Sequence, residues 1–167
     1  MNIQKQIKLI KLIEQWAIDR GLDKNGTVEG QMIKTAEEVA ELIIGISKDD
    51  IDVIKDSIGD VFVTFVIGNM IEGKYTDWDE DFNLALKTVL SDVFTKGKLV
   101  YDLAELLNDL PDYGYSSSAY PMLYILANTC AEYELKLIDC IESAYKEIAD
   151  RKGVVRDGTF IKEDDLK

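Results

Sequence analysis

The chain has 167 residues, of which 47% are hydrophobic, and it carries a formal net charge of −13. This composition predicts one folded domain with a packed core. The negative charge argues against partners that require a basic surface, namely nucleic-acid polymers and anionic membranes. A small phosphate ligand remains compatible with it, because divalent cations can bridge acidic side chains and phosphate oxygens.

Histidine is absent from the sequence, which removes the commonest general base and the commonest soft-metal ligand. Any catalysis must therefore use Asp, Glu, Lys, Arg, Tyr or Cys. The two cysteines, Cys130 and Cys140, fall in apolar helical patterns and are predicted to be buried free thiols. We find no signal-peptide pattern and no apolar stretch long enough for a membrane span, so a cytosolic location is expected.

Helical periodicity dominates the first half of the chain. It predicts three helices, at residues 2–20, 28–47 and 51–71. Gly21 ends the first helix, and Thr27 can cap the second. The third is apolar nearly all round from Ile58 to Met70, which is typical of a helix in the middle of a bundle or an oligomer.

The second half of the chain is also predicted to be mainly helical. The expected helices cover residues 80–108, 119–133 and 137–151, the first of them broken near Gly97. Residues 108–118 contain Pro111 and Gly114 and are expected to form the longest loop. Short β-like runs around Asp157-Gly158 predict a small C-terminal hairpin. The expected fold class is therefore an all-α helical bundle with a small hairpin.

Three glutamates cluster in the second predicted helix. Glu38 and Glu41 are three residues apart and lie on one side of the helix, and Glu37 and Glu41 are also neighbours. Like charges at these spacings destabilise a helix slightly. One interpretation is a solvated acidic face with Lys34 as an ion-pair partner, and the other is a functional site.

Asp60 is the most informative residue, because it interrupts an otherwise apolar helix. A buried, unpaired carboxylate costs several kcal/mol, so Asp60 needs a positive partner. A hard divalent cation with oxygen ligands fits, and Asp56 lies four residues back on the same face. A lysine from another helix, or a water-filled cleft, would also satisfy Asp60.

The two carboxylate pairs are more informative together than separately. The helices that carry them are joined by a short break, so they should be antiparallel neighbours. Glu38 and Glu41 on one helix can then reach the same level as Asp56 and Asp60 on the next. Inward-facing carboxylates on neighbouring helices form metal sites in bundles.

These residues resemble the MazG-like nucleoside triphosphate pyrophosphohydrolases, an all-α family whose signature is Glu-x-x-Glu on one helix and Glu-x-x-Asp on the next. Glu38-Val39-Ala40-Glu41 matches the first half, and Ser57-Ile58-Gly59-Asp60 stands in the second. Residues 16–22 and 144–153 also resemble family segments. The match covers roughly residues 3–72 and 135–163, so that about 73–134 is expected to be an inserted helical region within a single domain.

The resemblance implies cleavage of a (d)NTP to (d)NMP and pyrophosphate with Mg²⁺, or alternatively Mn²⁺. The implied metal ligands are Glu38, Glu41, Asp56 and Asp60, and Glu37 or Glu38 is the implied general base. It also implies a homo-oligomer, either a dimer or a tetramer. The implied substrate contacts are Trp16 for the base and Lys34, Lys146, Arg151 and Lys152 for the phosphates. A Trp on an amphipathic helix is more often a core residue, and the four cations are more often ordinary surface charges.

Position 57 departs from the family signature, which has Glu where this chain has Ser57. Asp56 could supply the missing carboxylate, because it shares a face with Asp60. Because of this departure, a non-catalytic nucleotide-binding or regulatory module with a degenerate metal site is an alternative function. A dUTPase, a phosphoribosyl-ATP hydrolase and an oligomeric scaffold are further alternatives.

Overall fold

A computed structural model describes residues 3–89 and 94–166 as a helical bundle that ends in one β-hairpin. In chain order the elements are α1 (Ile3–Asp19), α2 (Leu22–Asn25), α3 (Val28–Lys48), α4 (Ile51–Glu72), α5 (Trp78–Thr88), α6 (Lys96–Glu132), α7 (Leu137–Ala149), β1 (Gly153–Arg156) and β2 (Thr159–Lys162), followed by a 3₁₀ turn (Glu163–Asp165). The expected all-α class is confirmed. None of the helices in the described ranges is long and apolar enough to cross a membrane.

Helix α4 forms the centre of the bundle, as its nearly uniform apolar surface predicts. It packs against α1, α2, α3, α6 and α7. Every residue from Val61 to Asn69 is buried. Because neighbouring helices of the same chain cover this surface, burial of α4 does not require a second protomer.

Helices α3 and α4 are antiparallel and closely packed. The Gln31 side chain donates to the Thr64 carbonyl at 3.1 Å, while Gly45 at the other end of α3 faces Ile54. Caps fix both helix starts: Thr27 accepts from the Gly30 amide, as predicted, and Asp50 accepts from the Val53 amide. This pairing confirms the expected neighbouring arrangement of the two helices.

The predictions for the middle of the chain were correct for one feature and wrong for another. The helix expected at residues 80–108, with a break near Gly97, is two helices: α5 ends at Thr88 and α6 begins at Lys96, and residues 90–93 lie outside the described ranges. The expected loop at residues 108–118 lies within α6, which runs from Lys96 to Glu132. Gly114, with a φ of 79°, interrupts α6 and divides it into a first arm, residues 96–113, and a second arm, residues 115–132.

A long-range contact explains why a kink replaces the expected loop. The Glu72 carboxylate, at the end of α4, accepts a hydrogen bond from the Ser116 amide at 3.0 Å. It thereby caps the second arm, whose first backbone amides have no carbonyl acceptor within the helix after the kink. A side chain at Gly114 would collide with the Glu72 carboxylate, and the left-handed φ also favours glycine.

The predicted C-terminal hairpin is confirmed. Val154 pairs with Ile161, and Asp157 and Gly158 form the turn with φ values of 52° and 80°. Two positive φ values are the requirement of a type I′ turn, which Asp-Gly favours. The Thr27 amide donates to the Gly158 carbonyl at 3.0 Å, so the hairpin is attached to the start of α3.

Candidate functional site

Asp60 lies where α7 crosses α4. A Cβ atom on the adjacent Gly59 would lie 2.5 Å from the Cys140 carbonyl oxygen and 2.6 Å from the Ala144 Cβ, so only glycine allows this approach. The crossing brings Glu147, near the C-terminal end of α7, and Arg151, just after the helix, towards the Asp60 side of α4.

The Asp60 carboxyl carries the strongest electrostatic perturbation of the site. Burial, followed by the carboxylates of Glu38, Asp56 and Glu147, raises its pKa from an ordinary 3.8 to about 7. Arg151 opposes this shift but does not cancel it. Near neutral pH, Asp60 is therefore only partly ionised and lacks sufficient positive compensation.

Glu38 approaches Asp60 from α3 because of the antiparallel pairing of the two helices. Its side chain is half-buried, and burial, followed by the Glu41 carboxylate, raises its pKa. Lys34 and Lys162 lower the same pKa. The Glu38 carboxylate in turn raises the pKa of Asp60, as expected if the two side chains face the same site.

Asp56 lies one turn before Asp60 and is more exposed. Partial desolvation, followed by the Glu147 carboxylate, raises its pKa, whereas Arg151 and Lys162 lower it. Arg151 is itself hydrogen-bonded to Glu147, one turn back along the chain. The carboxylates of α3, α4 and α7 thus lie near three cations, namely Lys34, Arg151 and Lys162.

Two residues of this cluster were missed from the sequence. Glu147 lies four residues before Arg151, and this spacing is the signal that could have identified it. Lys162 follows the hairpin turn, and only the attachment of the hairpin to α3 brings its charge near Glu38 and Asp56. Sequence spacing alone gives no signal for Lys162.

Three further residues predicted for the site lie at its edge. Glu37 is exposed and forms an ion pair with Lys34. Glu41 is exposed as well, and its charge acts on Glu38. Of the two expected general bases, Glu38 is the one whose charge raises the pKa of Asp60. Glu37 already forms an ion pair with Lys34.

The structure does not bring the other predicted substrate contacts into the cluster. Trp16 is 7% exposed, and its Nε1 donates to the Ile148 carbonyl at 2.6 Å. Arg20 covers its ring at 4.3 Å, so Trp16 takes the core position rather than the base-stacking one. Lys146 is mostly exposed and pairs with Glu142, and Lys152 is exposed with its carbonyl bonded to the Glu163 amide.

The carboxylates do not form a preorganised metal site. Within residues 3–89 and 94–166, no group of three or more His, Cys, Asp or Glu side chains is arranged to hold a metal ion. The donor chemistry nevertheless suits Mg²⁺ or Mn²⁺, because the cluster consists of carboxylate oxygens. Mutual repulsion of Glu38, Asp56 and Asp60 favours their separation when no cation is bound.

An open cleft of about 410 Å³ lies beside Asp56 on the α4–α7 side of the cluster. Its lining includes Lys55, Asp56 and Ser143. The volume falls within the range of small-molecule sites. Ser57, by contrast, is 2% exposed, so the second half of the signature begins with a buried hydroxyl that adds no charge to this cleft.

The fold and the site together define an all-α bundle with a partly buried acidic cluster. The chain is 35% identical over 157 residues to the "uncharacterized 18.2 kDa protein in rep-hol intergenic region" of Haemophilus phage HP1 (strain HP1c1). That similarity covers 82% of this chain and 96% of the phage protein, so the chain belongs to the family of that phage protein. No protein-family model and no solved structure matches it.

Proposed function

We propose that the chain is a Mg²⁺-dependent nucleoside triphosphate pyrophosphohydrolase that converts a (d)NTP to (d)NMP and pyrophosphate. The observation that carries the proposal is Asp60: a largely buried carboxyl, with a pKa near 7, faced by acidic groups from α3, α4 and α7. An arrangement of this kind is destabilising without a cation. Perturbed groups beside a cleft are typical of functional sites.

Glu38, Asp56 and Asp60 would hold the divalent ion, with Glu41 at the edge of the site. When bound, the ion would supply charge neutralisation for the triphosphate and a more acidic water. Since the carboxylates are not preorganised, ion binding would require their side chains to move together. Asp60 would then lose its proton, because a nearby positive charge favours the ionised carboxyl.

Arg151 and Lys162 would bind phosphate oxygens of the substrate. Both lie close enough to lower the pKa of Asp56, and Glu147 holds the Arg151 guanidinium by a hydrogen bond. A guanidinium held in this way presents its remaining donors to an anion. Glu38 would accept the proton of the attacking water, a role compatible with its raised pKa.

A non-catalytic nucleotide-binding or regulatory module is the second candidate. The buried Ser57 favours it, because the signature carboxylate at this position is missing. We also propose a cytosolic location and a homo-oligomer, either a dimer or a tetramer. Light scattering coupled to size-exclusion chromatography tests the oligomeric state directly.

Turnover of a nucleotide panel separates the two candidates. The purified chain is incubated with the common NTPs and dNTPs, with Mg²⁺ or EDTA, and the products are identified by chromatography. If the chain is a pyrophosphohydrolase, monophosphate and pyrophosphate form with Mg²⁺. Neither product forms with EDTA or with the Glu38→Gln and Asp60→Asn variants. Asp112→Asn is the matched control, since this aspartate is exposed on α6. Nucleotide binding without turnover would instead support the module.

A further inference from the structure

Two side chains at the end of α1 hold the C-terminal end of α7. Trp16 lies in the last turn of α1, and Arg20 follows this helix directly. The Trp16 Nε1 atom donates to the Ile148 carbonyl at 2.6 Å. The Arg20 guanidinium donates to the Arg151 carbonyl from Nε at 2.8 Å and from Nη2 at 2.6 Å. Its Nη2 atom also lies 3.3 Å from the Ala149 carbonyl oxygen.

These contacts form a cap for α7 that comes from another helix. The last carbonyls of an α-helix have no amide partners within the helix. Helix α7 ends at Ala149, and the amides of Asp150 and Arg151 both turn back to the Ile148 carbonyl. The Arg20 guanidinium supplies donors to the carbonyls that follow, and its positive charge is favourable at the negative end of the helix dipole. The backbone after α7 is therefore fixed by a side chain of the first helical segment.

The Arg20 side chain is itself held in one orientation. Its guanidinium carbon lies 4.3 Å from the centre of the Trp16 ring, and its Nη1 atom donates to the Trp16 carbonyl at 3.1 Å. A cation over the face of a tryptophan is favourable, and the planar guanidinium loses little freedom when it forms several hydrogen bonds. A lysine would keep the charge but could not reproduce this fork of donors.

The segment that Arg20 holds carries the Arg151 side chain to the acidic cluster. The Arg151 guanidinium is hydrogen-bonded to Glu147, and its charge lowers the pKa of Asp56 and Asp60. Only 22% of this side chain is exposed. A shift of the backbone at residue 151 would move the guanidinium away from the carboxylates. Misplacement of a substrate-binding group by about 1 Å can lower a reaction rate about a hundredfold.

We propose that Arg20 is a positioning residue, which together with Trp16 holds the end of α7 and thereby sets the place of the Arg151 guanidinium beside the acidic cluster. The contact joins residues 16–22 to residues 144–153, the two segments that the sequence analysis singled out in addition to the carboxylates. The benefit for phosphate binding rests on the proposed pyrophosphohydrolase function. The positioning of Arg151 does not.

Arginine labelling with phenylglyoxal tests the positioning without any nucleotide. The chain has three arginines, Arg20, Arg151 and Arg156, and peptide mass spectrometry quantifies each of them. In Arg20→Ala, Arg151 should be labelled about fourfold faster, because release of the segment would raise its exposure from 22% towards full exposure. Arg156 is exposed and is the internal control, whose rate should not change. An unchanged rate for Arg151 in this variant would overturn the proposal.

Two further variants separate positioning from a general loss of stability. Arg20→Lys should give a labelling rate of Arg151 between those of the parent chain and Arg20→Ala, and it carries the test alone if circular dichroism shows that Arg20→Ala is unfolded. A parent-like rate in Arg20→Lys would then refute the positioning. Tyr115→Phe removes a buried hydrogen bond to Thr35, 2.9 Å long, in another part of the bundle. It should leave the labelling of Arg151 unchanged, and an acceleration equal to that of Arg20→Ala would also refute a specific role of Arg20.

Labelling in the presence of Mg²⁺ and inorganic tripolyphosphate connects the positioning to the proposed function. Tripolyphosphate carries the phosphate chain that all nucleoside triphosphates share. Protection of Arg151 in the parent chain, weakened in Arg20→Ala, is the expected result. Equal protection in both would show that Arg20 does not serve phosphate binding. Absence of protection in the parent chain would count against Arg151 as a phosphate contact, which is a failure of the proposed function, whereas the labelling without phosphate decides the positioning separately.

Discussion

Replacement of Asp60 by asparagine should stabilise the fold at alkaline pH. The pKa of Asp60 in the folded protein is about 7, well above 3.8, so its ionisation opposes folding. The stability associated with the protonated carboxyl is fully present below about pH 4 and is lost as the pH rises through about 7. Asparagine has a similar shape and does not ionise, so Asp60→Asn should escape this loss.

The expected size of the effect follows from the pKa difference. A pKa about three units above 3.8 corresponds to a total of about 4 kcal/mol at about 1.4 kcal/mol per unit. Over half of this total loss of stability occurs between pH 5 and pH 8. After allowance for solvent screening, the advantage of Asp60→Asn should grow by about 2 kcal/mol between those two pH values.

Urea unfolding at pH 5 and pH 8, in the presence of EDTA and followed by circular dichroism, measures this growth directly. Asp112→Asn is the control and should show the same difference from the parent chain at both pH values, because Asp112 is exposed. Mg²⁺ at pH 8 should stabilise the parent chain and have little effect on Asp60→Asn. A stability difference for Asp60→Asn that does not change with pH would refute the electrostatic reasoning.

Two further predictions concern the elements that position the site. Gly59→Ala should lower the free energy of unfolding by about 2 kcal/mol, measured by thermal unfolding, because its Cβ would lie 2.5 Å from the Cys140 carbonyl oxygen. Gly97→Ala is the control in the same assay and should be neutral or stabilising, because the nearest atom to its Cβ would be 4.0 Å away. Lys162→Ala should raise the pKa of Asp56, measured by carbon-detected NMR titration, and an unchanged pKa would show that the hairpin does not act on this carboxyl.

The helices that rely on local signals could be predicted from the sequence. The apolar surface of α4 predicted a central position, and the Asp157-Gly158 pair predicted the hairpin; both are confirmed. The kink at Gly114 could not be foreseen, because it depends on a cap that Glu72 supplies from 44 positions earlier. A local reading of Pro111 and Gly114 therefore predicted a loop.

The candidate site was predictable to a similar extent. Glu38, Asp56 and Asp60 follow from helical spacing and from the rarity of a charge within an apolar helix. Glu147 and Lys162 reach them only through the crossing of α7 and the attachment of the hairpin, which are tertiary contacts. Spacing within one helix therefore identified one half of the cluster and missed the half that later elements supply.

The most direct test of the proposed activity is ³¹P NMR of the reaction in ¹⁸O-labelled water. A pool of NTPs and dNTPs is incubated with the chain and Mg²⁺, and an identical sample receives EDTA. The account predicts pyrophosphate and nucleoside monophosphate, with the label in the monophosphate if water attacks the α-phosphorus, and neither product with EDTA. Unchanged triphosphates in the Mg²⁺ sample, or release of orthophosphate alone, would contradict the proposed activity.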